Sequence, residues 1–301
     1  MVLVSKDTLA NIFYGARPAL EELFGFAHLS RTGVPDADVP HSSQALALDV
    51  FGTLKHCRSR DRICDHLAIQ LETPDGGPWD IHLEYVDPDN LLNEAQHKSQ
   101  LDVLLQGKRS LIALECKFAE TRLEPCSQPG KTGTGRIQCN GNYEMQTNPV
   151  NQRAAFCALT GKRIRYWEYI PRVFRLSADE PHRPCPFAGS WYQWMRTAVM
   201  ACAIAEKRGL RPAVGLVHVD RPAMPLRARI QDEAPKMRQL LTDAVKLELL
   251  RYDKLPGVFE VAADPGERGL FRDLHHWVDA KVNWVEARLL NERAGRKSRA
   301  S

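Results

Sequence analysis

Asp102 and Glu115, with Lys117 two residues further on, are side chains of the types that hold a divalent cation and set a positive charge beside it. Two carboxylates side by side in a partly buried place repel one another, and each loses hydration; a cation between them removes the problem. Magnesium, or manganese in its place, suits hard oxygen ligands of this kind. Such an ion also binds a phosphate oxygen and lowers the pKa of water. A lysine ammonium beside that water is placed to hold it, assist its deprotonation or stabilise charge developing on a phosphorus centre.

The elements that must position these groups are strands. Three runs of β type occur, Trp79 to Val86, Gln100 to Gln106 and Ser110 to Phe118. Gly107-Lys108-Arg109 is a short turn, so the second and third runs form a hairpin in which Asp102 stands opposite Glu115. Side chains alternate along a strand: Glu115 and Lys117 share one face, and Leu114, Cys116 and Phe118 take the other. Leu111-Ile112-Ala113-Leu114 is apolar on both faces, as a strand in the middle of a covered sheet must be. Glu84, between Leu83 and Tyr85 in the run before the hairpin, is either a further metal or water contact or an outward, solvated glutamate.

Around this hairpin the chain reads as helical from Leu9 to Phe24, as a loop from Gly33 to Pro40, and as a helix capped by Ser42 or Ser43 and running to Leu54. Glu124 to Pro149, rich in Gly, Pro, Gln and Asn, is an irregular insertion, about residues 124–150. Arg163 to Phe174 is β-prone or mixed. Trp191 to Lys207 is a helix with a stop at Gly209, and Ala213 to Val219 a buried strand. Ala234 to Arg251 and Phe271 to Asn291 are helices before a basic, frayed tail. The expectation is an α/β protein whose central mixed sheet is flanked by helices: one domain over residues 1–220, then a helical C-terminal extension, 221–301, packed on it. Gln193 and Arg196 share a face at the start of their helix, placed either to hold a phosphate or to cap the helix and meet solvent.

The run Ser99-Gln-Leu-Asp102-Val-Leu-Leu, a turn, then Leu-Ile-Ala-Leu-Glu115-Cys-Lys117-Phe resembles the signature of the PD-(D/E)xK, or restriction-endonuclease-like, phosphodiesterase superfamily. The order helix, three strands, helix, strand is similar too. The departure is Leu101, where the motif name has proline. The resemblance implies a restriction-endonuclease-like core with Asp102 and Glu115 as magnesium ligands, the Cys116 backbone carbonyl as a further ligand and Lys117 as the catalytic lysine. It implies that a polar residue of the following helix, here Gln193, approaches the metal. The implied activity is magnesium-dependent nuclease hydrolysis of nucleic-acid phosphodiesters, with DNA preferred, by metal-activated water. Two rival classes stand beside it: a non-catalytic nucleic-acid-binding module on the same fold, and a protein-interaction or regulatory subunit that uses the helical tail.

The composition leaves this open. The 301 residues carry 41 Lys and Arg against 37 Asp and Glu, a net charge of +4, so any nucleic-acid surface must be local. Basic clusters lie at Lys55 to Arg62, Arg221 to Arg229 and Arg293 to Arg299, and Trp191 and Trp194 are either base-stacking or core residues. The apolar stretch Ala198 to Ala205 is far short of the roughly 20 residues of a membrane span, and Met1 to Val4 meets charge before a signal sequence develops. A cytoplasmic protein with no membrane partner is expected. Of eight cysteines, Cys126, Cys139, Cys157 and Cys185 lie in or around the insertion. They form a set for zinc or an iron–sulfur cluster, but no Cys-x-x-Cys pair exists, and dispersed thiols are preferred. Pro129 to Gly135 imitates a phosphate loop, yet Pro125 stands where that pattern needs glycine. His275 and His276 point to different sides of a helix. Glu120, Glu21, Glu22 and Asp49 are weaker acid candidates.

Overall fold

A computed structural model of the chain describes residues 10–23, 38–94, 98–129, 139, 141, 157–178, 180–182 and 184–300. Its sheet has five strands: β1 (Asp80–Val86), β2 (Gln100–Gln106), β3 (Ser110–Cys116), β4 (Arg211–His218) and β5 (Lys246–Arg251). They lie side by side in chain order. β1, β2 and β3 pair antiparallel, whereas β3, β4 and β5 pair parallel. All of β3 is buried, as its doubly apolar run requires, because it is the central strand of a sheet covered on both faces.

The helices are α1 (Arg17–Glu22), α2 (Ser43–Ala47), α3 (Thr53–His56), α4 (Arg60–Gln70), α5 (Ala158–Gly161), α6 (Tyr166–Val173), α7 (Tyr192–Arg208), α8 (Arg227–Leu240), α9 (Leu255–Ala262) and α10 (Arg268–Ala300). A π-helical turn, Leu48–Gly52, joins α2 to α3. On one face, Leu104, Ala113 and Leu216 pack with Ile170 of α6, Val199 of α7 and Met237 of α8. On the other, Val103, Ile112 and Val217 pack with Phe51, Phe259 of α9 and Val278 of α10. The buried alanines 198, 201, 203 and 205 leave α7 thin where it crosses β3 and β4. Gly209 ends that helix in the left-handed conformation, φ 66°, which a side chain would disfavour.

The hairpin is held where it turns. The Gly107 N–H donates to the Ser110 carbonyl at 2.9 Å, and the Asp75 carboxylate accepts the N–H groups of Lys108 and Arg109. A β-carbon on Gly107 would collide with Asp75 Oδ2, so a larger residue there would push aside the carboxylate that holds the turn.

Asp49, in the π turn, ties the chain together. Its fully buried carboxylate accepts from Phe13 N at 2.7 Å, Trp277 Nε1 at 2.9 Å and Lys281 Nζ at 2.6 Å. Lys281 also donates to the Asn11 carbonyl, so α10 is pinned to the early part of the chain.

Two sequence expectations are corrected. Arg163 to Phe174, read as β-prone or mixed, contains helix α6: its aromatic residues serve the face turned to α7 and Phe187. Ala234 to Arg251 is not one helix. α8 stops at Leu240, and Lys246–Arg251 is a strand because β4 offers it an apolar, parallel edge. Residues beyond 220 therefore add a strand to the same sheet before the long α10. Leu9, Phe24, residues 33–37 and most of the 124–150 insertion lie outside the described residues.

Candidate active site

β2 and β3 pair as Val103 with Leu114 and Leu104 with Ala113; one further step of this register sets Asp102 opposite Glu115. Both face α7. They line one cleft of about 120 Å³ with Lys117, Cys116, Ser43, Ser99, Gln193, Arg196 and Thr197. The three residues first singled out by type, and the two polar residues of the following helix, thus meet in one place.

Glu115 and Lys117 are each 7% exposed, and Lys117 Nζ lies 2.7 Å from Glu115 Oε1. Thr197 Oγ1, from α7, donates to Glu115 Oε2 at 2.9 Å. Asp102 instead accepts from the backbone N–H of Cys116 at 2.6 Å. This division sets the protonation of the pair. Burial raises the Asp102 carboxyl well above the ordinary range, and the negative charges of Glu115 and Glu84 add to the effect, against the pull of Lys117. Burial also penalises the Glu115 carboxylate, but the charge and hydrogen bond of Lys117, with the Thr197 hydroxyl, outweigh it and hold Glu115 below its ordinary value. Burial works against the Lys117 ammonium too. The charges of Glu115, Asp102 and Glu120 overcome it, so Lys117 stays protonated.

A buried Glu115, a half-buried Asp102 and one ammonium leave Asp102 short of positive charge. That shortage suits a divalent cation: two carboxylate oxygens and a backbone carbonyl are hard donors, and magnesium keeps several waters of its own. Among the described residues no group of three or more His, Cys, Asp and Glu side chains is placed to hold a metal ion, so any cation here would rest on two side chains.

Glu84 falls at the step opposite Asp102, between Leu83–Val103 and Tyr85–Leu101. It is left-handed, φ 52°, inside a strand, a conformation that costs an ordinary residue roughly 1–2 kcal/mol. Its carboxylate accepts from Gln100 Nε2 at 2.7 Å, and it is not among the residues lining the cleft; it acts on Asp102 through charge. Gln193 lines the cleft, and its Oε1 accepts the Glu124 N–H at 3.1 Å. Thr197 and Ser99 escape a reading of the sequence. Thr197 does carry a signal: it is the one Ser or Thr in an alanine-rich helix, one turn after Gln193.

The remaining candidates lie elsewhere. Glu120 accepts from the Phe118 N–H at 2.6 Å and adds charge beside Lys117. Asp49 is the buried tie described above, and Glu22 pairs with Lys55 and His56. Trp194 is buried in the core and Trp191 Nε1 donates to Glu233, so the pair packs the protein. Parts of the basic clusters are engaged: Arg62 with Asp264, Arg221 with Asp279, Arg227 with Asp220. Cys126, Cys139, Cys157 and Cys185 are free thiols, Cys139 and Cys157 buried and the other two half-buried. Burial pushes the Cys126 thiol up to about 12, with smaller contributions from the other three. No helix among the described residues is long and apolar enough to cross a membrane.

Comparison with curated proteins and with solved structures finds no match to this chain. Residues 12–229, which include the whole cleft, match the family model described as Restriction Endonuclease associating with ARP, and the chain belongs to that family.

Proposed function

We propose that this protein is a PD-(D/E)xK enzyme that hydrolyses phosphodiester bonds of nucleic acid, with DNA as the substrate. The observation that carries this reading is the meeting of Asp102, Glu115 and Lys117 in one cleft under the polar start of α7. Membership of a restriction-endonuclease family supports it. A magnesium or manganese ion held by Asp102, Glu115 and the Cys116 carbonyl would supply positive charge for a phosphate oxygen and lower the pKa of water beside it.

The protein's own groups then have distinct tasks. Thr197 and the hairpin fix the direction of the Glu115 carboxylate, and the Cys116 N–H fixes that of Asp102. Lys117 is a cation, so it serves as a hydrogen-bond donor and a positive charge: it holds the attacking water and stabilises negative charge developing at phosphorus. Gln193, whose carbonyl oxygen is occupied by Glu124, has its amide nitrogen to offer as a donor. Hydrolysis is direct attack by water, without a covalent enzyme intermediate.

The test compares the wild type with Asp102→Ala and Lys117→Ala on linear, circular and single-stranded DNA, with magnesium, manganese or a chelator. The wild type cuts only with metal, and both variants lose cutting while retaining most binding. Equal cutting by all three would remove the assignment. The family's description, association with ARP, favours a second reading in which the protein works together with an ARP partner; co-purification of the two under native conditions tests it.

A further inference from the structure

Arg196 lies in the cleft, one turn into α7 and next to Thr197, which bonds Glu115. Its guanidinium is half-buried and held twice. Nε donates to Ser99 Oγ at 2.9 Å, and Cζ sits over the Tyr192 ring, 5.5 Å from its centre. Among the described residues it has no ion-pair partner and no acceptor for either terminal amino group. An arginine fixed through Nε presents the opposite edge of its fork, the two terminal amino groups, to whatever occupies the cleft.

What fixes Ser99 is unusual for a surface cleft. The buried carboxylate of Glu94 accepts from the Ser99 N–H at 2.6 Å, from Ser99 Oγ at 2.5 Å and from the Tyr166 hydroxyl. The Asn90 side chain in turn accepts the Glu94 N–H at 2.9 Å. A buried acid, a hydroxyl from α6 and the entry to β2 therefore converge on one serine, whose remaining task is to accept from Arg196. The counter-charge of Arg196 sits one hydrogen bond away. The guanidinium is thus oriented while its positive charge still reaches the cleft. Ser99 precedes Asp102 by three residues, so the same piece of backbone sets both the arginine and the acid pair.

We propose that Arg196 is the phosphate anchor of the cleft, gripping the non-bridging oxygens of a nucleic-acid phosphate, and that Glu94, Ser99 and Tyr166 are positioning residues that aim it. The proposal rests on the phosphodiesterase reading for its substrate class. Lys117 is engaged by Glu115, so a phosphate approaching the two acids meets Arg196 as the cation with amino groups to spare. A flat fork matches two phosphate oxygens as a lysine does not.

The test measures binding of a short fluorescein-labelled DNA duplex in EDTA, where cleavage plays no part. Arg196→Lys weakens binding roughly tenfold although the charge is kept. Arg196→Gln lowers the slope of log affinity against log salt by about one, the mark of one lost phosphate contact. Tyr166→Phe and Glu94→Gln each weaken binding about threefold, and neither adds to Arg196→Lys in a double variant, because they act through the arginine. With metal present, Tyr166→Phe raises KM and not the rate at saturation.

A brace with no part in binding would lower melting temperature and leave the salt slope intact, which overturns the proposal. So would wild-type affinity in Arg196→Lys, additive losses in the double variant, or failure of the wild type to bind the duplex. Tyr166→Phe removes only a hydroxyl and keeps the test standing should Glu94→Gln not fold. Binding by the anchor without cleavage would sink the hydrolase reading alone; cleavage with a wild-type Arg196→Lys would sink the anchor alone.

Discussion

Thr197 and Lys117 divide Glu115 between them: the hydroxyl takes Oε2 at 2.9 Å and the ammonium takes Oε1 at 2.7 Å. One comes from the helix over the sheet, the other from the end of the same strand. The direction of the carboxylate therefore depends on the packing of α7 against β3, which is apolar and tight.

Thr197→Val keeps the shape and removes the hydroxyl. A hydrogen bond to a charged group contributes about 1.5–3 kcal/mol, so the variant melts lower in denaturant. If Glu115 serves as proposed, metal-dependent cutting also falls about tenfold and needs more metal. Unchanged metal dependence would show that Thr197 braces the helix alone.

Metal should stabilise the fold by mass action. At a hundredfold excess over its dissociation constant, a ligand of the folded state adds about 2.7 kcal/mol. Magnesium or manganese then raises the melting temperature of the wild type by several degrees, EDTA reverses the rise, and Glu115→Gln abolishes it. Differential scanning fluorimetry reads all three.

Lys281→Met tests the tie at Asp49. Burial raises the Asp49 carboxyl despite Lys281, and breaking a buried pair from one side typically costs about 3–5 kcal/mol. The expected result is a lower urea midpoint with the slope kept. A loss below about 1 kcal/mol would mean that the Phe13 and Trp277 donors satisfy the acid unaided.

His218, buried at the end of β4, gives a pH dependence. Burial holds its pKa below 6.5, against the charges of Asp220 and Asp253 and together with that of Arg251. The unfolded chain therefore takes up the proton first. This contribution is whole above about pH 6.5 and is lost as pH falls through that value toward the folded pKa. Melting temperatures measured between about pH 5 and pH 8 should fall toward acid, and less so in His218→Asn; parallel curves would exclude His218 as a source.

The hairpin was legible because local rules agree there: period-two alternation, a glycine turn and an apolar run together fix the register that sets Asp102 against Glu115. β5 was not. Lys246-Leu-Glu-Leu-Leu-Arg is made of good helix formers, and only the parallel edge of β4, distant in sequence, makes it a strand. α6 was hidden by its aromatic residues and Pro171. Glu94 and Tyr166, 72 residues apart, carry no pattern that links them; their meeting is a product of packing. Of the acids beside the hairpin, Glu84 was placed by the register and its left-handed backbone was not foreseeable from Leu83-Glu-Tyr85.

The bond between Asp49 and Lys281 also joins segments that lie far apart along the chain. The partner of this acid stands 232 residues later, so the π turn and its neighbours lack their cation until α10 is in place. A chain that lacks Lys281 must bury the Asp49 carboxyl without its counter-ion and would be a ready target for chaperones and proteases. Closure of the fold around the π turn and docking of α10 are thereby one event.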